Sequence, residues 1–142
     1  MTLHEDFFDS LDGKVAIVTG GASGIGRSVV ELLSRSGLKL CLLDLDAQRG
    51  EEVVEEIGAA GGEAYFFECD VRKAANCMNA VDRIEDDFGA IHILVNAAGV
   101  IRRATILETS EEEWDQVIGV NLTGVFLMCK YAIPVMVRNG GG

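Results

Sequence analysis

The residues best suited to chemistry lie in one run, Thr19-Gly20-Gly21-Ala22-Ser23-Gly24-Ile25-Gly26. The run follows an apolar stretch, residues 15–18, and precedes a segment with helical apolar spacing. A loop that leads from a strand into a helix is an anion site. The N–H groups of the first helical turn lack partners, and the helix dipole adds partial positive charge. Glycines let a diphosphate approach the main chain, where a Cβ would stand in the way. A tight turn that binds nothing is the plain alternative, and three spaced glycines beside Ser and Thr argue against it. Two nucleotide readings compete. Residues 21–28 differ from a triphosphate-binding P-loop in one residue, Arg27, where that loop needs the compact ammonium of Lys. A dinucleotide site instead needs an acid about 20 residues on, at the end of the second strand, to bond a ribose 2′-hydroxyl. Asp44 stands 18 residues after Gly26, so the dinucleotide reading is favoured. The glycine spacing is Gly-x-x-x-Gly-x-Gly rather than the usual Gly-x-Gly-x-x-Gly.

The elements that must hold this loop alternate along the chain. Residues 15–18, 38–43, 64–67 and 91–95 are short apolar runs, suited to strands covered on both faces. Between them lie helical patterns. Ile25, Val29, Leu32 and Leu33 form the first apolar face. Val53, Val54 and Ile57 form the second, capped by Asp46. Cys77, Val81, Ile84 and Phe88 form the third. Gly37, Gly61-Gly62 and Gly89 stop the three helices. Ser110 and Glu113 make a capping box for a long fourth helix. Its inward residues are expected to be Trp114, Val117, Ile118, Leu122, Val125 and Cys129, and Pro134 is expected to kink or end it. Strands alternating with helices imply a parallel α/β sheet with right-handed crossovers.

Composition excludes other classes. The chain has 142 residues, 49% apolar and 25% charged, an ordinary globular balance. Its net charge of −11 and 6% aromatic content disfavour nucleic-acid binding through a basic, stacking surface. Cys41, Cys69, Cys77 and Cys129 form no metal-spaced set, and they read as buried thiols in a reducing cytoplasm. No apolar run reaches the ~18 residues of a membrane span, the longest candidate being broken by Lys130 and Pro134. Residues 1–13 read as an arm that Phe7, Phe8 and Leu11 pin to the body or to a neighbour, and residues 14–142 as one dinucleotide-binding domain.

Five features in order resemble the short-chain dehydrogenases/reductases. They are the 19–26 loop, Asp44, Asp70-Val71, Asn96-Ala97-Ala98-Gly99, and Asn121 within Val120-Asn121-Leu122-Thr123-Gly124. The resemblance runs from Leu11 to Gly142. It implies an α/β Rossmann-like doubly wound parallel sheet, here of about four strands in the order 3-2-1-4. It implies that Gly20, Gly24 and Gly26 line a pyrophosphate loop, with Ser23 and Ile25 beside it. Asp44 would hold the adenosine ribose, and Asp70 and Val71 would bracket the adenine. Asn96, Ala97 and Gly99 would pass by the cofactor ribose. Asn121 matches the family's catalytic Asn, which orients a water in the proton relay and bends the long helix. NADP-preferring members carry a basic residue before the second glycine or after the strand-two acid. Ser23 and Leu45 occupy those places, so NAD is favoured over NADP.

The family's Ser and its Tyr four residues before a Lys are not matched. Tyr131 is followed four positions on by Val135, and Tyr65 by Cys69. The expectation is that these residues form the cofactor half of an NAD-dependent oxidoreductase, cut before the fifth strand and inactive alone. The substrate would be a secondary alcohol or ketone, and a homo-oligomer would form through the helix at 110–138. A nucleotide-binding or subunit-pairing module without chemistry is the alternative, and a P-loop nucleotidase is the third reading.

Overall fold

A computed structural model describes residues 11–141. Four strands, β1 (Val15–Thr19), β2 (Lys39–Asp44), β3 (Glu63–Glu68) and β4 (Ile93–Asn96), form one parallel sheet in the order β3-β2-β1-β4. The helices are α1 (Gly24–Leu33), α2 (Ala47–Ala59), α3 (Ala74–Phe88), α4 (Glu111–Ile118) and α5 (Gly124–Arg138). A π turn, Gly119–Thr123, joins α4 to α5. The expected doubly wound order is thus the observed one. Of the expected arm, Phe7 and Phe8 lie outside the described residues, whereas Leu11 is buried.

Burial of both sheet faces follows from the period-two alternation of strand side chains. Val15 and Ile17 join Cys41, Leu43 and Phe67 on one face, under Val81 and Ile84 of α3 and Met128 and Ala132 of α5. Ala16 and Val18 join Leu40 and Leu42 on the other, under Val30 of α1 and Val53 of α2. Each fully buried Leu or Ile contributes about 1.5–3 kcal/mol, which is why the central strands read as unbroken apolar runs.

Two apolar faces differ from expectation. In α1 the buried residues are Gly26 and Val30, while Ile25 and Leu32 are 80% and 57% exposed. The helix begins at Gly24, so Ile25 falls in its first turn and borders the cleft described below rather than the sheet. In the long helix the buried residues are Gly124, Leu127, Met128, Ala132 and Val135, whereas Trp114 and Leu122 are exposed and Val117, Ile118, Val125 and Cys129 are half-buried. This helix is apolar on both sides, so spacing alone does not say which stripe meets the sheet. Pro134 does not end α5, which runs on to Arg138. The carbonyl deprived of its donor belongs to Lys130, an exposed residue that water reaches. The continuous helix Glu111–Arg138 is consequently long and apolar enough, by length and composition, to cross a membrane. Its inner face packs on α3 and β4.

His92 belongs to the architecture. Its Nδ1 accepts the Val15 N–H at 3.0 Å, and its own backbone N–H donates to the Val15 carbonyl. Val15 is buried. His92→Leu is expected to orphan that N–H and cost about 1–3 kcal/mol, read as a lower midpoint in urea unfolding. An unchanged midpoint would show that the bond contributes nothing.

Candidate functional site

A cleft of about 390 Å³ opens at the carboxyl ends of the strands. It is lined by Gly20, Ser23, Gly24 and Ile25 from the β1–α1 loop, Leu43, Asp44 and Leu45 from β2, and Cys69, Asp70 and Val71 after β3. Ala97, Ala98, Gly99 and Val100 after β4, with Val120 of the π turn, complete it. Ten of the twelve cofactor-site residues expected from sequence therefore share one cavity. Gly26 and Asn96 are the two that do not line it, and neither does Asn121.

The glycine loop is shaped by backbone packed on backbone. Gly20 has φ +66, and a Cβ there would stand 2.8 Å from Ala98 Cα. Gly26 is buried with its Cα over the Gly20 carbonyl, so a Cβ would collide with that oxygen. Ser23 is the N-cap of α1 in extended conformation and makes no side-chain cap, and no acid sits in the first turn. The first N–H groups of α1 are left for an anion. Arg27 is turned to Glu31, at 2.7 Å, and to Glu56, so it does not serve the loop as a P-loop cation would.

Asp44 stands at the mouth of β2 with both oxygens oriented by main chain. Oδ2 accepts from Ala22 N and Oδ1 from Asp46 N, each at 3.1 Å. A carboxylate held this way keeps lone pairs free for two hydroxyls and repels a phosphate. Asp70 is more enclosed, its side chain 5% exposed. Arg72 grips it through Nε to Oδ1 at 2.8 Å and Nη2 to Oδ2 at 2.7 Å, and the Arg72 N–H adds a third bond to Oδ1. The Arg72 hydrogen bonds hold the Asp70 carboxyl below the usual carboxylate range, against burial. A lowered pKa means the pairing contributes fully above the ordinary value of about 3.9 and is lost as pH falls through the folded value. Asp70→Asn is expected to make the acid limb of stability shallower. Urea midpoints measured from pH 6 to pH 2.5 check this, and parallel limbs for both proteins would refute it.

Thr19 is a site residue that its motif does not single out. It is buried, and its Oγ1 accepts from both Ala97 N and Ala98 N at 3.1 Å, tying the turn after β4 to the glycine loop. Its position directly before the glycines is the available signal. Val100 and Val120 also escape a sequence reading, because nothing in their type marks them. Asn96 directs its amide to Cys129 Sγ at 3.6 Å. Asn121 clamps Val100 at both ends of its amide: Oδ1 accepts from Val100 N at 2.8 Å, and Nδ2 donates to Val100 O at 2.9 Å. The loop that closes one wall of the cleft is thereby fixed to the π turn. The three cysteines of the core carry free thiols. Burial pushes the Cys41 thiol up to about 12, and Cys69 is pushed up by its hydrogen-bonded neighbour Cys77 and by burial.

A larger hollow, about 790 Å³, lies at the opposite end of the sheet. Asp12, Glu31, Glu56 and Glu63 line it against one Arg35, and that charge opposes phosphate binding.

The family model described as short chain dehydrogenase matches residues 14–142. The chain belongs to the short-chain dehydrogenase family. It is 42% identical over 140 residues to D-threitol dehydrogenase of Mycolicibacterium smegmatis, covering 99% of this chain and 54% of that protein. It is also 42% identical to 2,5-dichloro-2,5-cyclohexadiene-1,4-diol dehydrogenase of Sphingobium indicum, covering 93% and 53%. The chain thus spans about half the length of the curated relatives it matches. Among solved structures, a short-chain dehydrogenase/reductase from Burkholderia phymatum in complex with NAD superposes with a TM-score of 0.88 at 36% identity, over 91% of this chain and 46% of that one. Members of this family are oxidoreductases, and these two relatives are named as dehydrogenases.

Proposed function

We propose that these residues form the cofactor-binding half of an NAD-dependent oxidoreductase that interconverts a secondary alcohol and its ketone. The observation that carries this is the Asp44 carboxylate, oriented by two backbone N–H groups beside a glycine loop that a Cβ would block. The cleft fits NAD in kind. The glycine loop and the open N-terminus of α1 would take the pyrophosphate, Asp44 the adenosine ribose, and Asp70-Val71 the wall along the adenine. Ala97 and Gly99 would flank the second ribose. When bound, NAD supplies the hydride acceptor. Asn121 holds the Val100 loop and through it the shape of the nicotinamide side. Residues 1–142 lack the Ser, and the Tyr four before a Lys, that would polarise the carbonyl and move the proton. Turnover of an alcohol panel by these residues alone is therefore not expected.

NAD is preferred to NADP because a 2′-phosphate beside Asp44 meets like charge and loses the hydroxyl donor. Neither Ser23 nor Leu45 supplies a compensating cation. Isothermal calorimetry with both cofactors is expected to give the tighter constant for NAD, and tighter NADP binding would overturn the assignment. The relatives named for threitol and for a cyclohexadienediol support a small diol or related alcohol as substrate. Exposed Trp114, Leu122, Phe126, Ile133 and Val137 on one long helix support assembly of copies through residues 110–138.

A further inference from the structure

Two places where the loop between β3 and α3 meets the long helix are glycines bounding the π turn. A Cβ at Gly119 would stand 3.3 Å from Cγ and Cδ of Arg72. A Cβ at Gly124 would stand 2.7 Å from Cγ2 of Val71. The Gly124 N–H donates to the Gly119 carbonyl, the wide hydrogen bond that makes the turn. Asn121 lies between these glycines with its amide on Val100. Arg72 consequently has two attachments. Its guanidinium fork holds the buried Asp70 carboxylate, and its stem lies on Gly119. It does not line the cleft, although Asp70 and Val71 line one wall and Val100 and Val120 another.

We propose that Arg72 is a positioning residue that ties the adenosine wall of the cleft to the π turn, so that filling the first sets the pose of Asn121 in the second. The inference rests on the dinucleotide reading of the cleft. Three donors of Arg72 converge on one carboxylate, which makes Asp70 and Arg72 a single rigid body. A group pressing on Asp70-Val71 displaces that body, and its stem and Val71 press in turn on helix backbone that has no Cβ cushion. Val71 and Gly124 are both buried, and close-packed contacts of that kind transmit displacement, whereas the Arg72 side chain is 39% exposed and acts through its fixed fork on Asp70. Lys at this position would keep a charge and a stem but not the planar fork that locks both oxygens.

The test uses AMP, which carries only the adenosine half of the dinucleotide, and the ¹⁵N-labelled 142-residue chain. In the wild type, AMP is expected to shift the Asn121 side-chain amide signals as well as those of the glycine loop. In Arg72→Met and in the gentler Arg72→Lys, AMP is expected still to shift the glycine-loop signals while the Asn121 pair loses its response. Arg72→Lys supplies the comparison if Arg72→Met fails to fold. An Asn121 response that persists undiminished in the folded variant overturns the inference, as does its absence in wild type saturated with AMP. Wild type that binds neither AMP nor NAD removes the dinucleotide reading and this inference with it. Normal AMP binding with an Arg72-independent Asn121 removes this inference alone.

Discussion

Gly26→Ala is expected to end NAD binding and to destabilise the chain by about 3 kcal/mol. The added Cβ would collide with the Gly20 carbonyl and press on Gly21 N at 3.2 Å. Both neighbours are main chain, so no rotamer change relieves the contact. The loop must move off the first turn of α1, and the N–H groups that would face the proposed pyrophosphate move with it. Gly24→Ala is the control. Gly24 has φ +53 but nothing within 4 Å of a Cβ, so only the left-handed backbone is penalised, by about 1–2 kcal/mol. Calorimetric titration with NAD and urea unfolding check both variants. Equal behaviour of the two would show that steric closure of the loop on α1 is not what shapes the site.

Asp44→Ala is expected to weaken NAD by about ten- to a hundredfold, since a hydrogen bond to a charged group is worth about 1.5–3 kcal/mol. NADP should lose much less, because the same change removes a like charge from its 2′-phosphate. The proposed preference for NAD is therefore expected to narrow or invert. The substitution also strips the acceptors of Ala22 N and Asp46 N, so the glycine loop loses one of its anchors. The comparison of the two cofactors separates these effects: loosening of the loop weakens both, and loss of the charge changes their ratio. An NAD constant within about threefold of wild type would remove Asp44 from the ribose site.

Much of this site is legible in the sequence because its key residues act through backbone. Gly20, Gly24 and Gly26 are recognisable from spacing, since Gly20 and Gly26 lie too close to neighbouring backbone for a Cβ and Gly24 needs a left-handed φ. Asp44 and Asp70 are recognisable as acids at strand ends. Thr19 is less visible, because its role depends on β4 lying beside β1, which brings Ala97 and Ala98 to its hydroxyl from 78 and 79 positions away. Arg72 is not visible at all. A basic residue two positions after an acid is common on any surface, and only the buried state of Asp70 turns the pair into a fixed unit. The long helix departs from its sequence reading for a related reason. Trp114 and Leu122 have the right spacing for a buried stripe, yet Met128 and Ala132 are the residues that meet the sheet.

By itself the sequence determined the order of strands and helices and the place of the glycine loop. Those features depend on local physics: side-chain period, caps such as Ser110 and Asp46, and glycine's freedom of approach. Only the tertiary structure decided which apolar stripe is inside and how Asp70, Arg72 and the π turn are linked. It also decided that Asn121 spends both ends of its amide on Val100. Those outcomes depend on which surfaces compete for the same volume, and that competition exists only once distant segments have been brought together.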